Sequence, residues 1–336
     1  MNQIKGKQSI AFENPPHIIG GATVVGKKEG EGPLGHLFDI VNEDPMFGMN
    51  TWEEAESELQ KEAAKLALKK AGLDAWQMRY AFSGDLLGQL IATSFGLGAM
   101  QIPMFGLYGA CSTMGEALQL GAMAVNAGYA EQVLCLASSH FASAEKQFRY
   151  PLEYANQRPL SATWTVTGCG AYVLGTAGGR VKITGITTGK VVDYGVKDSM
   201  NMGACMAPAA ADTIYQNFMD FDREPKDYDR IITGDLGTVG REILIKLLRD
   251  QGFDIEKQHT DCGIEIFDSE DQDTHAGGSG CGCSAVTLGA YILDQLAEGN
   301  WNRVLFVPTG ALLSTVSFNE GKSVPGIAHA VVLERV

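Results

Sequence analysis

Lysine and arginine are scarce in this sequence, 26 against 40 aspartates and glutamates in 336 residues, for a formal net charge of −14. No dense basic run offsets that balance, so neither nucleic acid nor an anionic lipid surface is an expected partner. Long hydrophobic runs are missing too. The longest apolar candidate, Ser112 to Ala127, carries Glu116, Gln119 and Asn126, which excludes it as a membrane-spanning helix. Met1 to Lys7 lead into no apolar segment of the kind a signal peptide needs, so no signal peptide is expected. The seven cysteines (Cys111, Cys135, Cys169, Cys205, Cys262, Cys281 and Cys283) are odd in number and scattered through apolar segments. That argues against a disulfide framework and for buried thiols in a reducing compartment.

Common metal and nucleotide motifs are equally absent. Cys281-x-Cys283 with His275 lacks zinc-site spacing. Gly278-x-Gly280-x-Gly282 is not a dinucleotide fingerprint. The acidic stretch from Asp268 has Asp273 where a calcium loop needs glycine and Ser279 where it needs glutamate. No metal and no cofactor is expected.

What is abundant is glycine, 41 residues, within a chain that is 45% apolar. Layered α/β folds use glycine at tight strand–helix turns. Thr51-Trp52-Glu53-Glu54 has the spacing of a capping box, followed by Ala55, Leu59, Ala63, Leu66 and Ala67 on one helical face and Gly72 as the stop. Met78 to Asp85 reads as a strand, Leu87 to Phe95 as a helix and Pro103 to Gly109 as a strand. Ala110-Cys111-Ser112-Thr113 opens a helix that runs through Ala127, and the continuous apolar run Gln132 to Ala137 is a strand buried on both faces.

That order recurs. Gly84-Asp85-Leu86 returns as Gly234-Asp235-Leu236 at the end of a second apolar strand. Gly109-Ala110-Cys111-Ser112-Thr113 is matched by Gly280-Cys281-Gly282-Cys283-Ser284-Ala285, and Ala127-Gly128 before Val133-Leu134 by Glu298-Gly299 before Val304-Leu305. The second copy carries extra residues, which we place around Asp254 to His275. The duplication predicts two similar βαβ halves with mostly parallel buried sheets, 1–180 and 181–336, and it sets Cys111 and Cys283 at the starts of buried, pseudo-symmetric helices.

Two duplicated halves with a cysteine at a helix start resemble the thiolase and ketoacyl-synthase superfamily, and Gly109 to Leu118 is similar to its nucleophile segment. Thr274-His275-Ala276-Gly277-Gly278-Ser279-Gly280-Cys281-Gly282-Cys283-Ser284-Ala285 resembles more closely the stage V sporulation protein AD family of that superfamily. The resemblance runs through nearly the whole chain. It implies an αβαβα fold, a homodimer, and binding of dipicolinic acid (pyridine-2,6-dicarboxylate) or its calcium chelate in uptake during sporulation and release in germination. It also implies association with other stage V sporulation A proteins, membrane proteins among them, and a peripheral place on the spore inner membrane.

The site chemistry can be weighed residue by residue. Unpaired N–H groups and the helix dipole at a helix start favour a Cys111 thiolate, whereas a small residue at a βα junction equally serves packing. In the superfamily such a cysteine attacks an acyl thioester, and a histidine of a Gly-His-Pro segment handles protons. Here Gly277 to Ala285 contains no His-Pro, and Pro308 to Leu313 stands where a later cysteine loop is expected. His275 and His329 read as structural. A dicarboxylate receptor is therefore expected in place of the enzyme, with Cys111, Ser112, His140, Ser279, Cys281 and Cys283 as ligand-binding residues and His140 as the cation. The alternative is an acyl-CoA-dependent acyltransferase with Cys111 as nucleophile.

Overall fold

A computed structural model describes residues 3–148, 153 and 157–336. Met1 and Asn2, the start of the segment read for a targeting signal, lie outside the described residues.

The capping box forms as read. Thr51 Oγ1 accepts from the Glu54 N–H at 3.2 Å, the Glu54 carboxylate accepts from the Thr51 N–H at 3.1 Å, and helix α1 runs Trp52–Ala71. Gly72 ends it at φ 68°, the left-handed region where a β-carbon is penalised. The face bearing Ala55, Leu59, Ala63 and Ala67 is buried. The next helix, α2, starts later than the sequence suggests, at Ile91–Gly98. Leu87 to Leu90 form a turn that leaves Leu90 at φ 54°, because Asp85 accepts from the N–H groups of Leu87 and Thr93 and holds the chain back.

Among the described residues, the continuous hydrogen-bonded path of the main sheet passes through ten strands: β1 His17–Gly26, β2 Tyr80–Asp85, β3 Met104–Gly106, β4 Gln132–Ser139, β5 Gly168–Gly175, β6 Val181–Thr187, β7 Arg230–Thr233, β8 His259–Asp261, β9 Arg303–Val307 and β10 Ala330–Arg335. The first half orders them β3-β2-β4-β5-β1 and the second β8-β7-β9-β10-β6. In each half the first three strands are parallel, as βαβ crossovers require, and the fourth runs antiparallel to both of its neighbours. The halves join edge to edge where β1 and β6 pair through Val181–Ile18 and Lys182–His17. The repeated Gly-Asp-Leu thus marks equivalent strand ends, at β2 and β7.

Helices α1 and α2 cover one outer face, and α4 (Met202–Phe221) with α5 (Gly237–Asp250) the other. Between the sheets lie α3 (Thr113–Asn126) and α6 (Cys281–Thr287), the latter continuing helically to Glu298. Every residue of Cys281–Thr287 is buried. The layers are therefore αβαβα. One expected detail shifts: α6 begins at Cys281, so Cys283 sits inside its first turn, while Cys111 precedes α3 by two residues.

Candidate functional site

Cys111 follows Ala110, whose φ of 49° puts a non-glycine residue in the left-handed region. This sharp turn between β3 and α3 is clamped from the second half. A β-carbon added at Gly310 would lie 2.3 Å from the Gly109 carbonyl oxygen and 3.3 Å from the Cys111 nitrogen, so only glycine lets the two halves close here. The Ser112 hydroxyl folds back to donate to the Gly109 carbonyl at 2.7 Å and is buried.

The thiol of Cys111 meets a carboxylate. Asp235, just past the end of strand β7, accepts from Thr309 Oγ1 at 2.7 Å, the Gly280 N–H at 3.1 Å and Ser279 Oγ at 3.3 Å, and its charge acts on the Cys111 thiol. Burial pushes Asp235 up to about 7 despite these donors. Burial first, then the Asp235 charge, pushes the Cys111 thiol well above its ordinary value. The thiolate that the helix-start position favours is thus not the stable form. Desolvation and a like charge outweigh the dipole of a helix that begins two residues later.

Cys111 and Ser279 line a narrow cleft with Leu86, Tyr108, Phe148 and Leu313, and it encloses about 20 Å³ of free space. That holds about one or two waters, against the ~300–1,000 Å³ typical of small-molecule sites. The other expected residues stand elsewhere. Cys281 lies behind the cleft with its thiol donating to the Ser138 carbonyl at 2.7 Å. Cys283 is buried against Gly278 and Cys262 and does not line it.

His140 is the clearest correction. Its Nδ1 accepts from the Ala142 N–H at 3.2 Å, so its Nε2 carries the proton and donates to the Pro45 carbonyl at 2.8 Å. The ring packs on Trp52 and Phe47 in a different cleft, and burial lowers its pKa. The ring is neutral and turned away because the strand ends at Ser139 and His140 already starts the following turn. His275 Nδ1 donates to the Pro159 carbonyl at 2.9 Å, and His329 is buried with its pKa lowered to about 4. Among the described residues lining the Cys111 cleft there is no histidine, lysine or arginine.

Asp235 is the residue that sequence reasoning missed as a site group. Its signal was the Gly-Asp-Leu repeat, an acid closing an apolar strand. Its counterpart Asp85 accepts from Thr93 Oγ1 at 2.8 Å and lies beside a second buried acid, Glu56, which accepts from Ser138 Oγ at 2.8 Å and Ser143 Oγ at 2.7 Å. Burial, then the Asp85 charge, raises Glu56 to about 8.

Comparison with known proteins places this geometry. The family model described as Stage V sporulation protein AD (SpoVAD) matches residues 6–334. The chain belongs to the SpoVAD family. It is 44% identical over 333 residues to the Stage V sporulation protein AD of Bacillus subtilis (strain 168), covering 99% of this chain and 98% of that one. Among solved structures it resembles 3-oxoacyl-[acyl-carrier-protein] synthase III from Aquifex aeolicus VF5, with TM-score 0.57, 14% identity, and 95% and 99% of the two chains covered. It also resembles OleA from Xanthomonas campestris, with TM-score 0.61, 12% identity, and 96% and 98% covered. At such identities these likenesses establish the thiolase-like fold alone. This SpoVAD-family chain is thus a sporulation protein on a synthase-type scaffold.

Proposed function

We propose that this protein binds dipicolinic acid, as its calcium chelate, in the Cys111 cleft, and serves dipicolinate uptake during sporulation and release in germination without acting as an acyltransferase. The observation that carries the reading is the Cys111–Asp235 pair. A buried thiol held protonated by burial and by the charge of Asp235, with no imidazole lining its cleft, is a poor nucleophile, since attack on a thioester needs the thiolate and a base contributes ~10²–10⁴-fold. The same groups suit recognition. Cys111 S–H and Ser279 O–H line the cleft, and Ser279 can turn from its long 3.3 Å bond to Asp235 to donate to a carboxylate oxygen. The lack of a cation in the lining favours a charge-compensated chelate over a free dianion. The cleft has to open for this, by rotation of rim side chains such as Phe148 and Leu313.

A calorimetric titration with dipicolinate, with and without equimolar calcium, tests the reading. Saturable binding that tightens with calcium is expected, and no heat under either condition would end the proposal. The competing enzyme has its own readout. Incubation with acetyl-CoA or acetoacetyl-CoA is expected to leave Cys111 unmodified by mass spectrometry, and stoichiometric acylation there would restore the acyltransferase.

The chain works, in this proposal, peripherally at the spore inner membrane with other stage V sporulation A proteins, including membrane proteins. No helix among the described residues is long and apolar enough to cross a membrane, so attachment by partners is consistent with the sequence's acidity. A homodimer is proposed through β3, a sheet-edge strand whose three residues are all exposed and whose Phe105 remains 51% accessible.

A further inference from the structure

Helix α2 is apolar on two sides. Ala92, Gly96 and Leu97 are buried with Thr93 on its inner side. On its outer side Ile91, Phe95 and, just past the helix end, Ala99 recur every fourth residue and are exposed. Ile91 is 40% accessible and Phe95 75%. The segment Ile91–Gly98 carries no charged residue at all. A helix that is apolar all round belongs under cover, and an exposed apolar row of this kind marks a binding surface.

The row forms one wall of a groove of about 500 Å³, and the first half of α1 forms the other. The two helices are locked together beneath it. A β-carbon at Gly96 would lie 2.8 Å from the Ser57 carbonyl oxygen and 3.1 Å from Gln60 Cβ, and Gln60 Nε2 donates to Thr93 Oγ1 at 3.0 Å. From Ile91 to Ala99 the row runs ~12 Å, which matches about two turns of a helix laid alongside.

The α1 wall is acidic. Glu53, Glu54 and Glu58 line the groove against Lys61 alone. Lys61 pairs with Glu58, and Lys146, from outside the groove, pairs with Glu53. The exposed Glu54 carboxylate accepts from the Asn50 and Thr51 N–H groups at 3.2 and 3.1 Å and meets no cation among the described residues.

We infer that this groove docks a cationic amphipathic helix of a partner protein. The partner's apolar residues, spaced by three and four, lie along Ile91, Phe95 and Ala99, and its lysines or arginines face Glu54 and the rest of the α1 wall. A second copy of this chain suits the groove less. A two-fold contact sets the acidic wall against its own image, in a chain of net charge −14. An anionic lipid surface meets the same repulsion. The groove shares no lining residue with the Cys111 cleft, and the inference goes beyond the dipicolinate reading without resting on it.

The probe is a fluorescein-labelled peptide of about four helical turns, built from leucine and lysine in amphipathic register, with a leucine–glutamate peptide as control. Anisotropy titration with the full chain is expected to saturate with the lysine peptide and to show no binding of the other. Phe95→Ser should weaken binding about tenfold or more. Ile91→Ser, a second change on the same row, should weaken it about threefold or more, with circular dichroism spectra like the parent's. Both substitutions leave the protein's charge unchanged, so a basic peptide adhering to acidic surface at large would not register them. Tyr129→Ser, at an exposed aromatic outside the groove, should keep the parent affinity. Parent-like affinity in Phe95→Ser, or equal binding of both peptides, overturns the inference. So does a sedimentation shift from dimer to monomer in Phe95→Ser, which would give the row to a second copy, or loss of binding to phosphatidylglycerol vesicles, which would give it to lipid. The two readings fail separately. Absence of dipicolinate heat in the parent ends the Cys111 proposal and leaves the groove, and parent-like peptide affinity in Phe95→Ser does the converse.

Discussion

Cys111→Trp is expected to abolish dipicolinate binding at the Cys111 cleft, with affinity lowered by about 100-fold or more, while the circular dichroism spectrum stays that of the parent. The reason is space. The cleft holds about 20 Å³ of free volume, far less than an indole, so the new side chain has to occupy the volume that rim side chains vacate for a ligand. Overpacking a buried position costs ~1–3 kcal/mol, which a domain with a core of this extent tolerates. Cys111→Ala is the control. It removes a weak S–H donor and leaves the cleft open, so its affinity should remain within about threefold of the parent. Calorimetry on the two variants decides the matter. Parent-like affinity in Cys111→Trp would place the ligand outside this cleft.

The second large effect is on stability. Between pH 6.5 and pH 8.5 the protein is expected to lose about 3–4 kcal/mol of unfolding free energy, against the flat profile of an ordinary soluble domain. Glu56 is raised to about 8, Asp235 and Glu29 to about 7, and Asp261 to about 6, in each case chiefly by burial. In the unfolded chain these groups titrate near the ordinary carboxyl range. The folded state therefore holds protons that the unfolded state has already released. Their contribution is complete below the unfolded values and is lost as pH rises through the folded ones.

The window matters. His259 and His329, with pKa values lowered to about 3 and 4, oppose this trend only below about pH 6.5, where unfolded histidine takes up protons. Glu56→Gln should remove about 2 kcal/mol of the loss, with the Glu56–Asp85 pair titrating as a unit. Urea unfolding at four pH values across the window measures both. A profile that rises with pH, or one that Glu56→Gln leaves unaltered, would refute the assignment.

Much of the architecture was legible in the chain because its causes are local. Thr51 with Glu54, Gly72 and Gly299 act through neighbouring backbone groups, and the apolar run from Gln132 is buried wherever it folds. The duplication did the rest. Matching strand ends at Gly84-Asp85-Leu86 and Gly234-Asp235-Leu236 occur at equivalent places in two sheets of the same order. The helix start at Ile91 was harder to place, since Asp85 sets it through hydrogen bonds that no periodicity encodes.

The candidate site divides along the same line. By itself, the sequence determined two similar α/β halves and the presence of Cys111 beside a helix, which spacing and repeat order carry, and the family and αβαβα layering, which the resemblance of its motifs implied. Only the tertiary structure decided which groups meet. It set Asp235 of one half against Cys111 of the other and turned His140 toward Pro45 and Trp52. These pairings join residues far apart in the chain. The protonation states that follow depend on burial, a property of the assembled molecule that no local stretch of sequence possesses.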